Sequence, residues 1–218
     1  MHEPSRYDEK LALILRQSAE VFSERGFHQA SIRDISAATT VSLSGLYYYF
    51  KSKDELLFLI QRHCFRSLMD DVTAALDVVV GPQDRLRTLI EVHLGFFVAN
   101  MAEMKVLSHE ADALTGDYAV EVLELKRQYV ALAQSCVQPL LPNAGAVDVR
   151  VATFALFGQM NWLYNWYRPG RDPDSSTLAR QMADLYIHGL VGSTADRSKG
   201  SGPGKEIASV PAEERSGV

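Results

Sequence analysis

Three consecutive tyrosines and two nearby lysines could bind a phosphorylated polymer. Tyr47, Tyr48 and Tyr49 are followed by Lys51 and Lys53. A tyrosine hydroxyl can donate a hydrogen bond to a phosphate oxygen, and its ring can contact sugars and the methyl group of thymine. A lysine ammonium neutralises phosphate charge. If these side chains lie on one exposed surface, they would suit the backbone and the major groove of DNA.

Short capped helices are predicted to position these side chains. Ser31 is a good N-cap with an acidic residue three positions later, and Ser42 caps a second short helix running to about Tyr49. Ser52 and Glu55 predict a capping box at the start of a long helix. Two short helices with a tight turn between them form the geometry that places a recognition helix in a major groove.

The segment 31–50 is therefore predicted to be a helix-turn-helix. Ile35, Leu46 and Phe50 would be buried against the first helix, which leaves polar and aromatic residues outside. Exposed aromatic side chains imply a partner, and the N-terminus of the next helix would add its dipole at a phosphate. The candidate DNA contacts are Ser31, Arg33, Ser42, Leu43, Ser44, Gly45, Tyr47, Tyr48, Tyr49, Lys51 and Lys53.

The same residues also fit an ordinary helical hairpin whose tyrosines pack against a neighbouring domain. The net charge of -5 argues in that direction, because DNA binding depends on Lys and Arg. Whole-chain charge is a weak test, however, since a large acidic domain can mask a small basic patch. Both interpretations stay open at this point.

Apolar residues recur at helical spacing along most of the chain, which predicts an all-α protein. The expected organisation is a three-helix DNA-binding domain over 8–68, a helical ligand-binding and dimerisation domain over 69–192, and a disordered Gly/Ser-rich tail over 193–218. The long helix from Ser52 should continue to Gly81 and Pro82. Later helices are predicted over about 83–100, 103–114, 117–138, 147–167 and 175–189.

Composition limits the compartment and the chemistry. No stretch is long and apolar enough to span a membrane. The cysteines, Cys64 and Cys136, lack a pairing motif and suit buried thiols in a reducing cytoplasm. No catalytic motif is found, and the six histidines lack metal-ligand spacing. The sequence predicts a soluble cytoplasmic protein that is not an enzyme and holds neither metal nor cofactor.

The predicted helix over 147–167 is apolar on two faces. Val151 and Phe154 lie on one face, and Leu156 lies on the other. A helix that is apolar all round must be covered on both sides. The chain's own core would cover one face, and a second copy related by a two-fold axis would cover the other, together with Leu185 of the last helix. A fully intramolecular core is the alternative.

Bulky, adaptable side chains in the helical region favour an apolar ligand cavity. His93 and Tyr129 could supply polar anchors. Each of these residues also fits plain core packing. The candidate ligand contacts are Phe96, Phe97, Met101, Met104, His109, Arg127, Phe157, Met160, Asn161, Trp162, Trp166 and Arg168.

The segment 31–57, SIRDISAATTVSLSGLYYYFKSKDELL, resembles the signature of the TetR family, and 19–27 precedes it at the family spacing. The resemblance implies an all-helical, dimeric DNA-binding regulator. It also implies base or backbone contacts from Arg33, the Ser-Gly pair and the three tyrosines, and a phosphate clamp at Lys53. In one departure, Thr40 stands where the family usually has a turn glycine, and a β-branched residue tolerates positive φ poorly.

A second stretch, QMNWLYNWYRPG over 159–170, resembles a TetR subgroup that controls fatty-acid or steroid catabolism and responds to CoA thioesters. This resemblance implies that Trp162 contacts the acyl or thioester portion. It also implies that Lys126, Arg127 or Arg168 meets the CoA phosphates. Solvated surface charge is the alternative for these cations.

Two functions of different classes follow. The first is a ligand-responsive repressor that holds a palindromic DNA operator as a homodimer until an apolar effector, such as a CoA thioester, enters the cavity. The long helix from Ser52 would carry the movement between domains. The second is a helical lipid or acyl-CoA carrier that does not bind DNA. An enzyme using the cavity is disfavoured, because no catalytic cluster is found.

Overall fold

The computed structural model describes residues 5–110, 112–141 and 147–195. All regular secondary structure in these ranges is helical, which confirms the all-α prediction. The helices are α1 (Arg6–Arg25), α2 (Ile32–Thr39), α3 (Leu43–Leu46), α4 (Lys53–Leu76), α5 (Pro82–Ala99), α6 (Met101–His109), α7 (Gly116–Val137), α8 (Val149–Asn161), α9 (Leu163–Trp166) and α10 (Ser175–Ala195), with a 3-10 helix at Gln138–Leu140 after α7.

Serine side chains cap the first four helices. At α2 the capping box is complete: Ser31 Oγ accepts from the Asp34 N–H, and the Asp34 carboxylate accepts from the Ser31 N–H. At α4 the predicted box is only half formed. Ser52 Oγ accepts from the Glu55 N–H at 3.0 Å, but the Glu55 carboxylate accepts from the N–H of Lys51 instead.

Several boundaries differ from those that the pattern predicts. α4 ends at Leu76 and does not reach Gly81, because three β-branched valines at 78–80 have low helix propensity. The single helix expected over 147–167 is divided at Trp162 into α8 and α9. α6 begins two residues before the predicted start and ends at His109, short of 114.

One continuous buried core joins α1 to α10. α4 packs against α5 and α7, and α10 packs along α5. The predicted border between 68 and 69 falls inside α4, so the division into domains stays a prediction. The predicted tail begins within α10, and residues 196–218 lie outside the described residues.

The two thiols are buried, as the sequence predicts. Burial raises the pKa of both Cys64 and Cys136, which keeps them protonated and unreactive. Across the described ranges, every helix is too short or too polar to cross a bilayer.

Candidate nucleic-acid interface and ligand cavity

α2 and α3 meet at a tight turn that local hydrogen bonds hold. Ser36 Oγ donates to the Val41 carbonyl at 2.6 Å. α3 itself contains only Leu43–Leu46, and hydrogen-bonded turns continue the chain to Phe50. The second helix of the pair is therefore shorter than predicted, although the backbone stays helical in character to the end of the tyrosine run.

The turn places Thr40 in the left-handed region, with φ 53 and ψ 25. In the described ranges it is the only residue other than glycine with positive φ. A β-branched side chain there costs about 1 kcal/mol relative to glycine. The preceding Thr39 donates its hydroxyl to the Ile35 carbonyl at 2.7 Å and closes α2 directly before the turn. The strain that the sequence indicates at Thr40 is present.

The inner and outer faces of this region lie as the sequence predicts. Ile35 and Leu46 are fully buried, and Phe50 is buried beside them. Tyr48 is 74% exposed and Tyr47 is 53% exposed, so both rings are accessible to a partner. The other exposed candidates are Ser31, Arg33, Ser42, Leu43, Ser44 and Lys51, whereas Gly45, Tyr49 and Lys53 are half-buried.

Gly45 has a structural reason to lack a side chain. A Cβ atom at this position would lie 3.0 Å from Val41 Cγ1 and 3.1 Å from Ser42 Oγ. The same serine hydroxyl accepts from the Gly45 N–H at 3.1 Å and caps α3. A larger residue would therefore disturb the cap, in addition to any effect on close approach to a base.

Tyr7, in the first turn of α1, joins the tyrosines that follow α3. Its ring stacks on Tyr49 with centroids 5.1 Å apart and meets the edge of Tyr48 at 5.8 Å. Tyr48 and Tyr49 also meet edge to face at 5.2 Å. No local pattern in the sequence indicates Tyr7, because its ring partners lie about 40 residues further along the chain. This aromatic cluster positions the exposed ring of Tyr48.

The structure corrects the role predicted for Lys53. Its ammonium donates to the carbonyls of Phe27 at 2.7 Å, His28 at 3.3 Å and Ala30 at 3.1 Å, and lies 4.5 Å from the Phe27 ring centroid. All three donors are thus used to hold the segment between α1 and α2, which leaves none for a phosphate. Of the two lysines, Lys51 alone presents an exposed ammonium on this surface.

A cavity of about 810 Å³ lies between α4, α5, α6, α7 and α8. Its apolar wall includes Phe65 and Leu68 from α4, Met104 and Leu107 from α6, and Phe157 from α8. This size and lining are typical of small-molecule sites. Of the predicted ligand contacts, those that line it are Met104, Arg127, Phe157 and Asn161.

Three polar side chains form a hydrogen-bonded row in the cavity wall. His93 Nδ1 lies 2.8 Å from the hydroxyl of Tyr129, and His93 Nε2 lies 3.2 Å from Asn161 Oδ1. Burial lowers the pKa of His93 to about 4, so the imidazole is neutral at pH 7. Burial also raises the pKa of Tyr129, which stays protonated. The two polar anchors that the sequence suggested are therefore paired with each other.

Three cationic side chains line the cavity where it is formed by α7 and α8. Arg127 and Arg150 are exposed, and Lys126 is half-buried. The Arg150 guanidinium lies 5.5 Å from the centroid of Phe154, which also lines the cavity. Burial lowers the pKa of Lys126, an effect that nearby Asp112 opposes. Positive charge is therefore concentrated where the cavity meets solvent.

Several predicted ligand contacts lie elsewhere. Phe97 and Met160 are fully buried in the core and do not line the cavity. Trp162 is 60% exposed, Trp166 is 42% exposed, and neither faces the cavity. The helix breaks at Trp162, the residue for which the resemblance over 159–170 implies a ligand contact.

The remaining predicted contacts have structural roles. Arg168 donates to the carbonyls of Tyr167 and Asn165 and closes the end of α9. Met101 packs against the core at the start of α6. Phe96 lines a separate cavity of about 310 Å³ beside α1, and His109 lies at the junction of α1 and α6 with its ring against Tyr164.

Glu110 joins the helix-turn-helix region to the cavity region, a role that no local sequence pattern indicates. Its carboxylate accepts from the Phe27 N–H at 2.9 Å. Its backbone carbonyl accepts from the Gln61 side-chain amide at 3.1 Å. Glu110 directly follows α6, whose Met104 and Leu107 line the cavity. Glu110 therefore connects the end of α6 to the segment between α1 and α2.

An apolar face of α8 is uncovered within one chain. Val151 is 64% exposed and Phe154 is 48% exposed, whereas Leu156 on the opposite face is fully buried. Leu185 of α10 is 76% exposed. The two helices are in contact through Tyr186 of α10, which donates its hydroxyl to a backbone carbonyl of α8. The two-faced pattern that the sequence predicts is therefore present.

A DNA-reading helix pair followed by a helical bundle with a ligand-sized cavity is the architecture of a ligand-responsive transcriptional regulator. The family model for bacterial regulatory proteins of the tetR family matches residues 14–60, and that for the tetracyclin repressor-like C-terminal domain matches residues 80–190. The chain belongs to the TetR family. Family membership also confirms that the protein is a DNA-binding regulator and not an enzyme, and it does not favour a carrier that never binds DNA.

Known relatives share this architecture along most of the chain. The HTH-type transcriptional repressor KstR2 of Mycolicibacterium smegmatis is 22% identical over 88% of this chain and 94% of its own. A TetR-family regulator from Bordetella parapertussis is 26% identical with a TM-score of 0.78, over 85% of this chain and 98% of its own. AibR, solved with isovaleryl coenzyme A and operator DNA, is 24% identical with a TM-score of 0.70. The match covers 84% of this chain and 98% of AibR.

Proposed function

We propose that the protein is a homodimeric repressor that binds a palindromic operator through α2 and α3 and releases it when an apolar effector enters the cavity. The main support for this DNA-binding surface is that Tyr47 and Tyr48 are exposed beside Lys51. The helices around them are capped by nearby side chains, so these three residues are free to contact a partner. Tyrosine hydroxyls, a lysine ammonium and exposed Arg33 suit phosphates and base edges in a major groove.

The uncovered apolar side chains of α8 and α10 support a symmetric dimer. Val151, Phe154 and Leu185 would be buried if a second copy packed on the first. Two-fold symmetry would present two identical recognition surfaces, which requires a palindromic operator with half-sites about one helical turn apart or a multiple of it.

The cavity supports an effector with an apolar body. Aromatic and methionine side chains line its wall, and three cations surround its opening, which suits a molecule that is apolar at one end and anionic at the other. A CoA thioester has this form, and the related AibR was solved with isovaleryl coenzyme A. KstR2 is a repressor, which supports the same sign of regulation here.

Two helices could couple the cavity to DNA binding. α4 lines the cavity through Phe65 and Leu68 and begins directly after the tyrosine turn. α6 lines it through Met104 and ends next to Glu110, which holds the segment before α2. An effector that moved either helix would change the spacing of the two recognition surfaces, and a coupling of about 1 to 3 kcal/mol would suffice for regulation.

The DNA-binding assignment is tested on a duplex selected by the wild-type protein from a random-sequence pool. Tyr48→Ala should weaken binding of this duplex about tenfold at fixed salt, because it removes one exposed contact. Val80→Ala is the matched control, since Val80 is 92% exposed in the connection between α4 and α5. Equal affinities of the two variants would show that the DNA-binding surface lies elsewhere.

The dimer is tested by measuring mass in solution. Leu185→Glu places a charge in the proposed interface and should shift the protein from dimer to monomer in analytical ultracentrifugation. Val120→Glu is the control, because Val120 is also exposed, at 68%, but lies on α7. The interface would be contradicted if the wild-type protein were monomeric, or if the Leu185→Glu variant stayed dimeric.

A further inference from the structure

The cavity of about 310 Å³ beside α1 lies where α1 meets α4, α5 and α6. Leu13, Ile60 and Phe96 supply apolar side chains to its wall. It shares no lining residue with the larger cavity among α4 to α8. Its volume is at the lower end of the range for small-molecule sites, so it suits a compact ligand. The structure therefore contains a second space in which a small molecule would fit.

Two opposite charges line this smaller cavity and do not pair with each other. They are Arg16 of α1 and Glu103 of α6. In the described part of the chain, neither has an oppositely charged atom within 4.0 Å. Burial and the charge of Glu20 raise the pKa of Glu103, whereas the charge of Arg16 lowers it. The guanidinium is thus near enough to act on the carboxylate but too far away to form an ion pair.

Glu103 is half-buried, and the described ranges hold no cation paired with it. Moving a carboxylate partly out of water costs free energy unless a cation or hydrogen-bond donors replace the water. Asn100, at the start of α6, also lines the cavity, and its Nδ2 donates to the Phe96 carbonyl at 2.8 Å. This leaves Asn100 Oδ1 as an acceptor. The α6 side of the cavity therefore offers two acceptors to a positively charged group.

The lining matches a ligand with one charge of each sign. Of the described residues that line the cavity, Arg16 and Glu103 carry the charges, since burial lowers the pKa of His63 and keeps it neutral at pH 7. We propose that this cavity binds a small zwitterion, an amino acid with an apolar side chain, whose ammonium pairs with Glu103 and whose carboxylate pairs with Arg16. The apolar part of the wall would contact its side chain. Such a ligand would link α1 to α6 across the gap between the two charges.

Leucine is the probe, titrated calorimetrically into the full-length protein. Glu103→Gln and Arg16→Gln should each weaken its binding about tenfold, because each removes one of its two charge-assisted contacts. Isoamylamine, which is leucine without the carboxylate, should be insensitive to Arg16→Gln. Isocaproate, which is leucine without the amine, should be insensitive to Glu103→Gln. Glu91→Gln is the matched control and should bind leucine like the wild type, since Glu91 is an exposed acid of α5 outside the cavity lining.

The stability of the free protein separates a ligand site from a structural role. Because the Glu103 carboxylate has no cationic partner in the described ranges, Glu103→Gln should not lower Tm in the absence of leucine. The proposal is overturned if leucine does not bind, if either variant keeps wild-type affinity for leucine, if isoamylamine depends on Arg16 or isocaproate on Glu103, or if Glu103→Gln lowers Tm. Since the two cavities share no lining residue, the affinity for the selected duplex, measured in parallel, tests the proposed function independently.

Discussion

The helix-turn-helix and the cavity wall hold their polar groups over very different distances along the chain. In the first, Ser31 pairs with Asp34, Ser36 with Val41, and Ser42 with the residue three positions on, all within three to five residues. In the second, the partners of His93 are 36 and 68 residues away. The recognition surface is thus assembled locally, whereas the cavity exists only when five helices have packed.

This difference predicts how the two regions respond to substitution. Side chains on the recognition surface are exposed, and the helices that hold them are capped by nearby residues. Changing these side chains should therefore alter DNA affinity and leave stability nearly intact. In the cavity wall, His93 and Tyr129 are buried and join Asn161 across three helices, so changing them should alter stability and ligand affinity together. The following predictions, from the largest effect to the smallest, test or refine that contrast.

The largest effect is expected at His93 on acidification. Its folded pKa of about 4 lies below the ordinary value of 6.5, so the unfolded chain takes up a proton first as the pH falls. The stability contribution is complete above pH 6.5 and is lost between pH 6.5 and 4, which amounts to about 3 kcal/mol. Urea unfolding of wild type and His93→Gln between pH 4 and 7 should show a flatter dependence in the variant.

His63 also makes the folded state less stable at low pH, because burial lowers its pKa too. It is present in both proteins, so the difference between them isolates His93. His28→Gln controls for loss of a surface histidine. Parallel stability curves for wild type and His93→Gln would contradict the neutral, buried row.

Lys53 and Lys51 should separate stability from DNA binding. Lys53→Met removes an ammonium that three carbonyls share and should lower the free energy of unfolding by about 2 kcal/mol. Lys51→Gln should leave stability nearly unchanged and reduce the slope of log affinity against log salt by about one. Denaturant unfolding and salt titrations on the selected duplex measure both. A reduced slope without loss of stability in Lys53→Met would restore the phosphate clamp that the sequence suggested.

Glu110→Ala should loosen the connection between the two regions at a cost of about 1.5 kcal/mol, because the Phe27 N–H loses a charged acceptor. Amide hydrogen exchange at Phe27 should then become faster. Glu124→Ala is the control, since Glu124 is an exposed acid on α7 away from this contact. Unchanged protection of Phe27 would show that Glu110 does not hold the segment before α2.

Thr40→Gly should increase stability by about 1 kcal/mol, because glycine adopts the left-handed conformation without steric cost. Thr39→Gly, one residue earlier, should instead destabilise, since that hydroxyl donates to the Ile35 carbonyl within α2. Thermal unfolding distinguishes the two. A loss of stability in Thr40→Gly would mean that the turn gains more from the threonine side chain than the backbone strain costs.

Much of the recognition surface could be predicted, because its signals act over one helical turn. The cap at Ser31, the buried Leu46 and the exposed Tyr48 all follow from spacing. Lys53 was the exception. Its carbonyl partners lie at 27, 28 and 30, beyond the reach of a local pattern, so the pattern predicts a lysine on the same surface as the exposed tyrosines.

The cavity was predicted less well, for a physical reason. Helical periodicity identifies which face is apolar but not whether that face meets core, ligand or solvent. Of the predicted ligand contacts, Met104 and Phe157 line the cavity, whereas Met160 belongs to the core and Trp162 lies at the surface where the helix breaks.

By itself, the sequence determined the helical class, the capped turn and the outward tyrosines, since each depends on hydrogen bonds and spacing within a few residues. Tertiary structure alone decided that His93 joins Tyr129 to Asn161, that Glu110 holds the segment before α2, and which cations surround the cavity. These contacts link helices far apart in the chain, and their geometry arises only from packing.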